Sequence, residues 1–432
     1  MLLLYDLIFL LYALIYLPYL LLTKRGYPGF GMRFGLFSPQ VRGQIKAKAN
    51  IWVHAVSVGE VMVLDGFIDQ LRKIYPDYQF IATVTTKTGY ELACQRLNGK
   101  AVVIPSPIDF SFVAASFVSL IDPKMYVAVE TEIWPNLYRQ LFNKRIPLAV
   151  INGRISDNSF GRYKAIRFLL KGVLDQVSVW CMQSQRDADR IMELGARPSK
   201  VVVTGNVKFD DLPKPLDSSI DRLAGGKDEL WWVAGSTHPG EEEIVLDVYS
   251  KIFKDDPKWR LVIAPRHIER VPQIMELISR RGLNAVKFTE IDSLLKSVSR
   301  SSCRTLPKGR KDAIVVVDTI GQLRSLYTKA SLVFVGKSLC VGGGHNVIEP
   351  AYYGKAIIIG PRVENFRDIV ACFKQGKAIV QVEDANSFEI AVKDLCADRS
   401  EREFLGAAAR QVIAANQGAT KRSLERLAGL LK

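Results

Sequence analysis

Histidine is scarce in this chain: there are four in 432 residues, His54, His238, His267 and His345, and no two lie within helical reach. That spacing argues against a dedicated histidine-rich metal site. Cysteine is sparse as well. Cys94, Cys181, Cys303, Cys340, Cys372 and Cys396 include no CxxC pair, so they read as reduced, mostly buried thiols of a cytoplasmic protein rather than a disulfide framework. No acidic residue lies between Thr23 and Asn50. Zinc-finger spacing, an RNP motif and a basic heptad region are all missing, which ranks nucleic acid low as a partner. No repeat or low-complexity segment interrupts the chain.

What is present describes a folded protein. Hydrophobic residues make up 48% and charged residues 24%. The length suits two domains of ordinary size. Lysine and arginine number 59 against 44 acidic residues, a net charge of +15. Such a balance favours an acidic partner: a phosphorylated substrate, anionic lipid or nucleic acid.

Residues 1–22, MLLLYDLIFLLYALIYLPYLLL, carry a single charge, Asp6. As a helix this run would extend about 33 Å, enough to cross a bilayer core. Tyr5, Tyr12, Tyr16, Tyr19 and Tyr27 suit interfacial depth. Lys24, Arg25, Arg33, Arg42, Lys46 and Lys48 follow, so the positive-inside rule places the rest of the chain on the cytoplasmic side. A cleavable signal peptide is the rival reading. It lacks support, because no basic region precedes the run and no small-residue cleavage site follows it. The expectation is an N-terminal membrane anchor whose removal leaves a folded protein.

From Ile51 onward, apolar runs alternate with helical patterns. IWVHAV (51–56), QFIATVTT (79–86), AVVIPSP (101–107), KMYVAVETEIWP (124–135), IPLAVINGRI (146–155), VSVWCMQS (177–184) and KVVVTGNVKFD (200–210) read as strands. Near-continuous apolar strands between helices predict a parallel sheet covered on both faces. Ligands in such sheets sit at the carboxyl ends of the strands. Glu60 stands out there because it begins a helix directly after Gly59. It either favours the helix dipole or reaches into the site as a general base. DDLPKPLDSSIDRLAGGKDE (210–229), with two prolines and a glycine pair, reads as the linker. The pattern then restarts with LWWVAGST (230–237), WRLVIAPRHIER (259–270), AIVVVDTIGQLRSLYTKA (313–330) and KAIIIGPRVENFRDI (355–369). The boundaries are therefore an anchor over 1–22, a first domain over 23–210, a linker over 211–229 and a second domain over 230–432. The last helical stretch is able to cross back toward the first domain.

The stretch Leu332 to Lys355, LVFVGKSLCVGGGHNVIEPAYYGK, organises the second domain. An apolar strand ends at Gly336, three glycines follow, and a helix starts near Asn346 with Pro350 in its first turn. Strand, glycine loop and helix start predict an anion site. The plainer reading makes Asn346 the cap and Glu349 the return partner of a capping box. The string Asp187-Ala188-Asp189 lies in a predicted helix, where alternate residues diverge, and reads as a solvated face rather than a metal site.

Several motifs in one order carry a resemblance: HAVSVGE (54–60), ETEIWPN (130–136), INGRIS (151–156), GNVKFD (205–210), GSTHPGE (235–241), APRHIER (264–270), DTIGQL (318–323), GGHNVIEP (343–350) and GPRVENFRDI (360–369). Over nearly its whole length the chain resembles the 3-deoxy-D-manno-octulosonic acid (Kdo) transferases. The resemblance implies a GT-B fold, an α/β architecture of two doubly wound Rossmann-like domains facing a cleft, carried on the N-terminal anchor. It implies inverting, metal-independent transfer of Kdo from CMP-Kdo to a lipid A precursor, in lipopolysaccharide biosynthesis at the cytoplasmic face of the inner membrane. No cofactor is implied, and the partners are the donor, the phosphorylated glycolipid acceptor and membrane lipid. The family's base matches Glu60, and its transition-state helpers match Glu130 and Lys208. Its CMP site falls on Pro265 and Arg266, on Gly321, Gln322 and Leu323, and on Asn346, Val347, Ile348 and Glu349. Gln322 stands where glutamate is usual, and Lys337 where glycine is common. A related GT-B enzyme using a UDP-sugar, and a non-catalytic membrane-anchored scaffold, are the competing readings.

Overall fold

A computed structural model of the chain describes residues 5, 6, 10, 29–210, 229–291 and 313–431. The expected anchor over 1–22 and linker over 211–229 therefore lie outside the described residues, except for Tyr5, Asp6, Leu10 and Glu229. Among the described residues, no helix is long and apolar enough to cross a membrane. The chain forms two units: Met1–Asp211 together with Asn416–Lys432, and Leu212–Ala415. Residues 416–432, within the last helical stretch that the sequence left able to cross back from the second domain, belong to the first unit.

The first unit holds strands β1 (Asn50–Ala55), β2 (Gln79–Val84), β3 (Val102–Pro105), β4 (Pro123–Val129), β5 (Leu148–Gly153), β6 (Val179–Met182) and β7 (Val201–Val203). They pair in the order β3-β2-β1-β4-β5-β6-β7, every pair parallel. Alternation along each strand explains why both faces are dry. Trp52, Tyr126, Val150 and Trp180 enter one core, while Val53, Val127, Ile151 and Cys181 enter the other. The predicted strand over 200–210 stops at Val203, and a 3₁₀ turn occupies Val207–Phe209. The helix Ala419–Ala428 packs on this sheet. Its first turn is fixed by Asp210, whose carboxylate accepts from the Gly418 amide at 2.6 Å and from the Thr420 amide at 2.5 Å.

The second unit repeats the plan with β8 (Leu230–Thr237), β9 (Trp259–Pro265), β10 (Ala285–Lys287), β11 (Ile314–Val316), β12 (Leu332–Val335), β13 (Ala356–Ile359) and β14 (Val380–Gln381). The order is β10-β11-β9-β8-β12-β13-β14, again all parallel. Strand order reverses between β1 and β4 in the first unit and between β8 and β12 in the second. Loops diverge at such points and leave a crevice at the carboxyl ends of the strands.

Backbone strain gathers at those same ends. Glu130, Asn152, Ser236 and Lys337 adopt left-handed φ values of 59°, 53°, 56° and 58°. Each is a non-glycine residue at the end of β4, β5, β8 or β12, in a region that costs a residue with a Cβ about 1–3 kcal/mol.

Candidate active site

Glu60 occupies the third position of the helix Val58–Ile74, which follows β1. Its carboxylate turns back to the strand end, accepting from the Val56 amide at 2.7 Å and from the Ser57 hydroxyl at 2.9 Å. The side chain is buried at 5% exposure. Burial pushes its pKa up to about 7; the Val56 amide opposes the shift and the Glu130 charge adds to it. A carboxylate serving only the helix dipole would remain ionised well below this range. Glu132, in the loop after β4, is also pushed to about 7, first by burial and then by Glu60 and Glu130. Three carboxylates therefore meet at the first switch point, and Glu132 is the member that sequence reading gave no role.

Lys208 lies in a turn tied to β5. It follows β7, three strand spacings from β4, which is roughly 14 Å along the sheet. The turn that carries it folds back, because the Asn152 side-chain carbonyl accepts from the Val207 amide at 3.1 Å. Gln183 completes the support by donating to the Asn152 carbonyl at 3.0 Å and accepting from the Asn206 amide group at 2.9 Å. Nothing in the local sequence around Gln183 announces this role. Asp187, read as solvated, is instead buried. Its carboxylate accepts from the Ile155 amide at 2.8 Å and from the Ser184 hydroxyl at 2.5 Å.

In the second unit, the residues expected at the donor site lie on adjacent loops. Pro265 closes β9, and the Arg266 amide donates to the Thr237 carbonyl of β8 at 3.1 Å. Gly321 and Gln322 lead into the helix Leu323–Lys329, which packs so closely on β8 that a Cβ at Gly235 would lie 2.4 Å from the Tyr327 hydroxyl. Asn346 and Val347 precede the short helix Ile348–Tyr352. Arg324 joins the two helices through an ion pair to Glu349 at 3.3 Å. The expected capping box is not formed. Val347 is the cap residue, Asn346 accepts from the Ile348 amide at 3.0 Å, and the Glu349 carboxylate faces Arg324.

The amides that follow β12 hold a carboxylate of the chain itself. Glu241, fully buried, accepts from Lys337 at 2.9 Å, Ser338 at 2.9 Å, Leu339 at 3.0 Å and His238 at 2.9 Å. Gly336 allows this approach, since a Cβ there would stand 2.6 Å from the Ser236 carbonyl oxygen. The Gly343 amide is likewise taken, by the Glu364 carboxylate at 2.6 Å. An incoming anion is therefore left to the side chains around these loops and to the segment 345–349.

Two parallel-sheet α/β units with polar residues at both switch points have the organisation of a GT-B-like glycosyltransferase. Residues 242–412 match the family model described as Glycosyl transferases group 1. Residues 29–211 match the model described as 3-Deoxy-D-manno-octulosonic-acid transferase (kdotransferase). A 3-deoxy-D-manno-octulosonic acid transferase of Haemophilus influenzae is 32% identical over 383 residues, covering 87% of this chain and 86% of that protein. The chain belongs to this transferase family. A bifunctional glycosyltransferase/methyltransferase of Fusobacterium nucleatum is 36% identical over 359 residues, 81% of this chain, and the match spans 53% of that relative's length. In fold, the chain resembles UDP-GlcNAc 2-epimerase from Neisseria meningitidis, with a TM-score of 0.59 at 13% identity over 88% of this chain and all of the other.

Proposed function

We propose that the chain transfers Kdo from CMP-Kdo to a lipid A precursor by a single inverting displacement that needs no metal ion. The observation that carries this reading is Glu60, a buried carboxylate at a switch point whose pKa burial pushes up to about 7. The acceptor hydroxyl gives its proton to the Glu60 carboxylate, and its oxygen bonds to the anomeric carbon. The bond from that carbon to the phosphate oxygen breaks, and CMP leaves with the electron pair. One displacement inverts the anomeric centre. Glu130 and Lys208 assist at the reacting centre. Arg266 takes the phosphate, and Gly321–Leu323 with Asn346–Glu349 hold the nucleoside. The basic segment after residue 22 supports work at the cytoplasmic face of the inner membrane, against anionic lipid.

Purified protein incubated with CMP-Kdo and a lipid A precursor, with product mass spectrometry, tests the reading. Glu60→Gln keeps the size of the side chain but removes the base. Transfer is expected to fall by roughly 10²–10⁴-fold with CMP binding retained. Near-normal turnover would remove Glu60 from the mechanism. Competition by UDP rather than CMP would move the donor to a UDP-sugar.

A further inference from the structure

Three of the chain's four histidines, far apart in sequence, meet at the second switch point. His238 follows β8, His267 follows β9 and His345 lies in the glycine loop after β12. His238 stacks on His345 with ring centroids 5.6 Å apart and Nε2 atoms 3.4 Å apart, and it meets His267 edge-on at 5.6 Å. One Nε2 must donate to the other, so the pair holds its proton between two loops.

The surroundings select the charge of a ligand. Lys337 acts on both His238 and His345, Arg266 and His267 act on His345, and Arg270 acts on His238. Arg270 is itself paired with Glu242 at 2.7 Å, and the Glu241 carboxylate is held by the His238 and Lys337 amides. A divalent cation would enter against this positive field, whereas an anion is drawn in. The backbone amides that could have served an anion after β12 are committed to Glu241.

We infer that the His238–His345 pair receives the carboxylate of the donor's acidic sugar and so selects it over neutral nucleotide sugars. This rests on the proposed donor, which carries two anionic groups and needs two cationic places. Arg266 serves the phosphate and the imidazole pair serves the carboxylate. Burial and the nearby cations lower both imidazoles, His345 to about 4, so the unliganded pair is neutral. A carboxylate beside the pair favours the imidazolium, and binding therefore takes up a proton.

The test is calorimetric titration of the full chain and of His238→Ala and His345→Ala, each with CMP and with CMP-Kdo, in two buffers of different ionisation enthalpy. Melting temperature is followed in parallel, and His345→Gln serves as the variant that keeps polar reach. Each Ala variant is expected to lose roughly ten- to a hundredfold affinity for CMP-Kdo while CMP binding stays within about twofold. Proton uptake should accompany CMP-Kdo binding alone and vanish in the variants. Equal losses for both ligands would assign the histidines to the phosphate and overturn the inference, as would unchanged CMP-Kdo affinity. A wild-type chain that binds UDP but not CMP overturns the proposed donor, an outcome distinct from any difference among the variants.

Discussion

The Glu241 carboxylate and the Lys337 amide stand 2.9 Å apart across the second switch point, joining the loop after β8 to the loop after β12. Because the same carboxylate also holds Ser338, Leu339 and His238, this one side chain fixes the floor beneath the glycine loop. Glu241→Ala leaves several buried amides without partners, and each such loss costs about 1–3 kcal/mol. The expected outcome is destabilisation of roughly 3 kcal/mol or more, seen as a fall in melting temperature of several degrees. A change under one degree would mean that the loops stand without it.

Glu60 and Glu132 titrate near 7 against an ordinary carboxylate value of 4.5. Their folded values are raised, so the fold favours the protonated forms. The stability this confers is full below about 4.5 and is lost as pH rises through about 7. Glu132→Gln removes one neighbouring charge from Glu60. The low-pH limb of the rate profile should shift to lower pH, and the melting temperature should fall less between pH 6 and 8 than in the parent chain. An unmoved limb would separate Glu132 from Glu60 altogether.

Lys337 holds a φ of 58°, a conformation that glycine adopts freely. Lys337→Gly relieves the strain but adds freedom to the unfolded chain, for a net gain of roughly 0.5–1 kcal/mol. It also removes a cation from beside His238 and His345, so CMP-Kdo affinity should fall while thermal stability rises. Denaturant titration and ligand binding on the same preparation show both signs.

Asp6, the single charge in the apolar N-terminal run, accepts from the Asn136 side chain at 2.6 Å and from the Ser111 amide at 3.3 Å. Tyr5 donates to Asp109 at 3.2 Å, and burial pushes the Asp109 carboxyl up to about 7. Removing residues 1–22 therefore takes hydrogen-bond partners from the first unit, a loss that the expected folded remainder would have to absorb. Deletion, or Asp6→Ala alone, is expected to cost about 1–2 kcal/mol, or roughly 2–8 °C in melting temperature. An unchanged melting temperature would mean that these hydrogen bonds contribute nothing measurable to the fold.

Periodicity and strand-end polarity in the sequence determined the two parallel sheets, because a strand buried on both faces must be apolar throughout and a βα loop must be polar. The order of the motifs also picked out Glu60, Arg266 and the glycine loop, since each lies in the loop or helix start that follows an apolar run. Distance along the chain hid the rest. His238 and His345 are neighbours only because β8 and β12 pair. Arg324 meets Glu349 only because a helix folds over β8, and the turn that carries Lys208 is tied to β5 through Asn152. Glu241 is in sequence a first-turn acid of a helix, and only the tertiary structure brings the β12 amides to it. Local pattern records which residues must be buried or must cap. Which loops become neighbours is decided by strand order, and that is settled only when the whole sheet assembles.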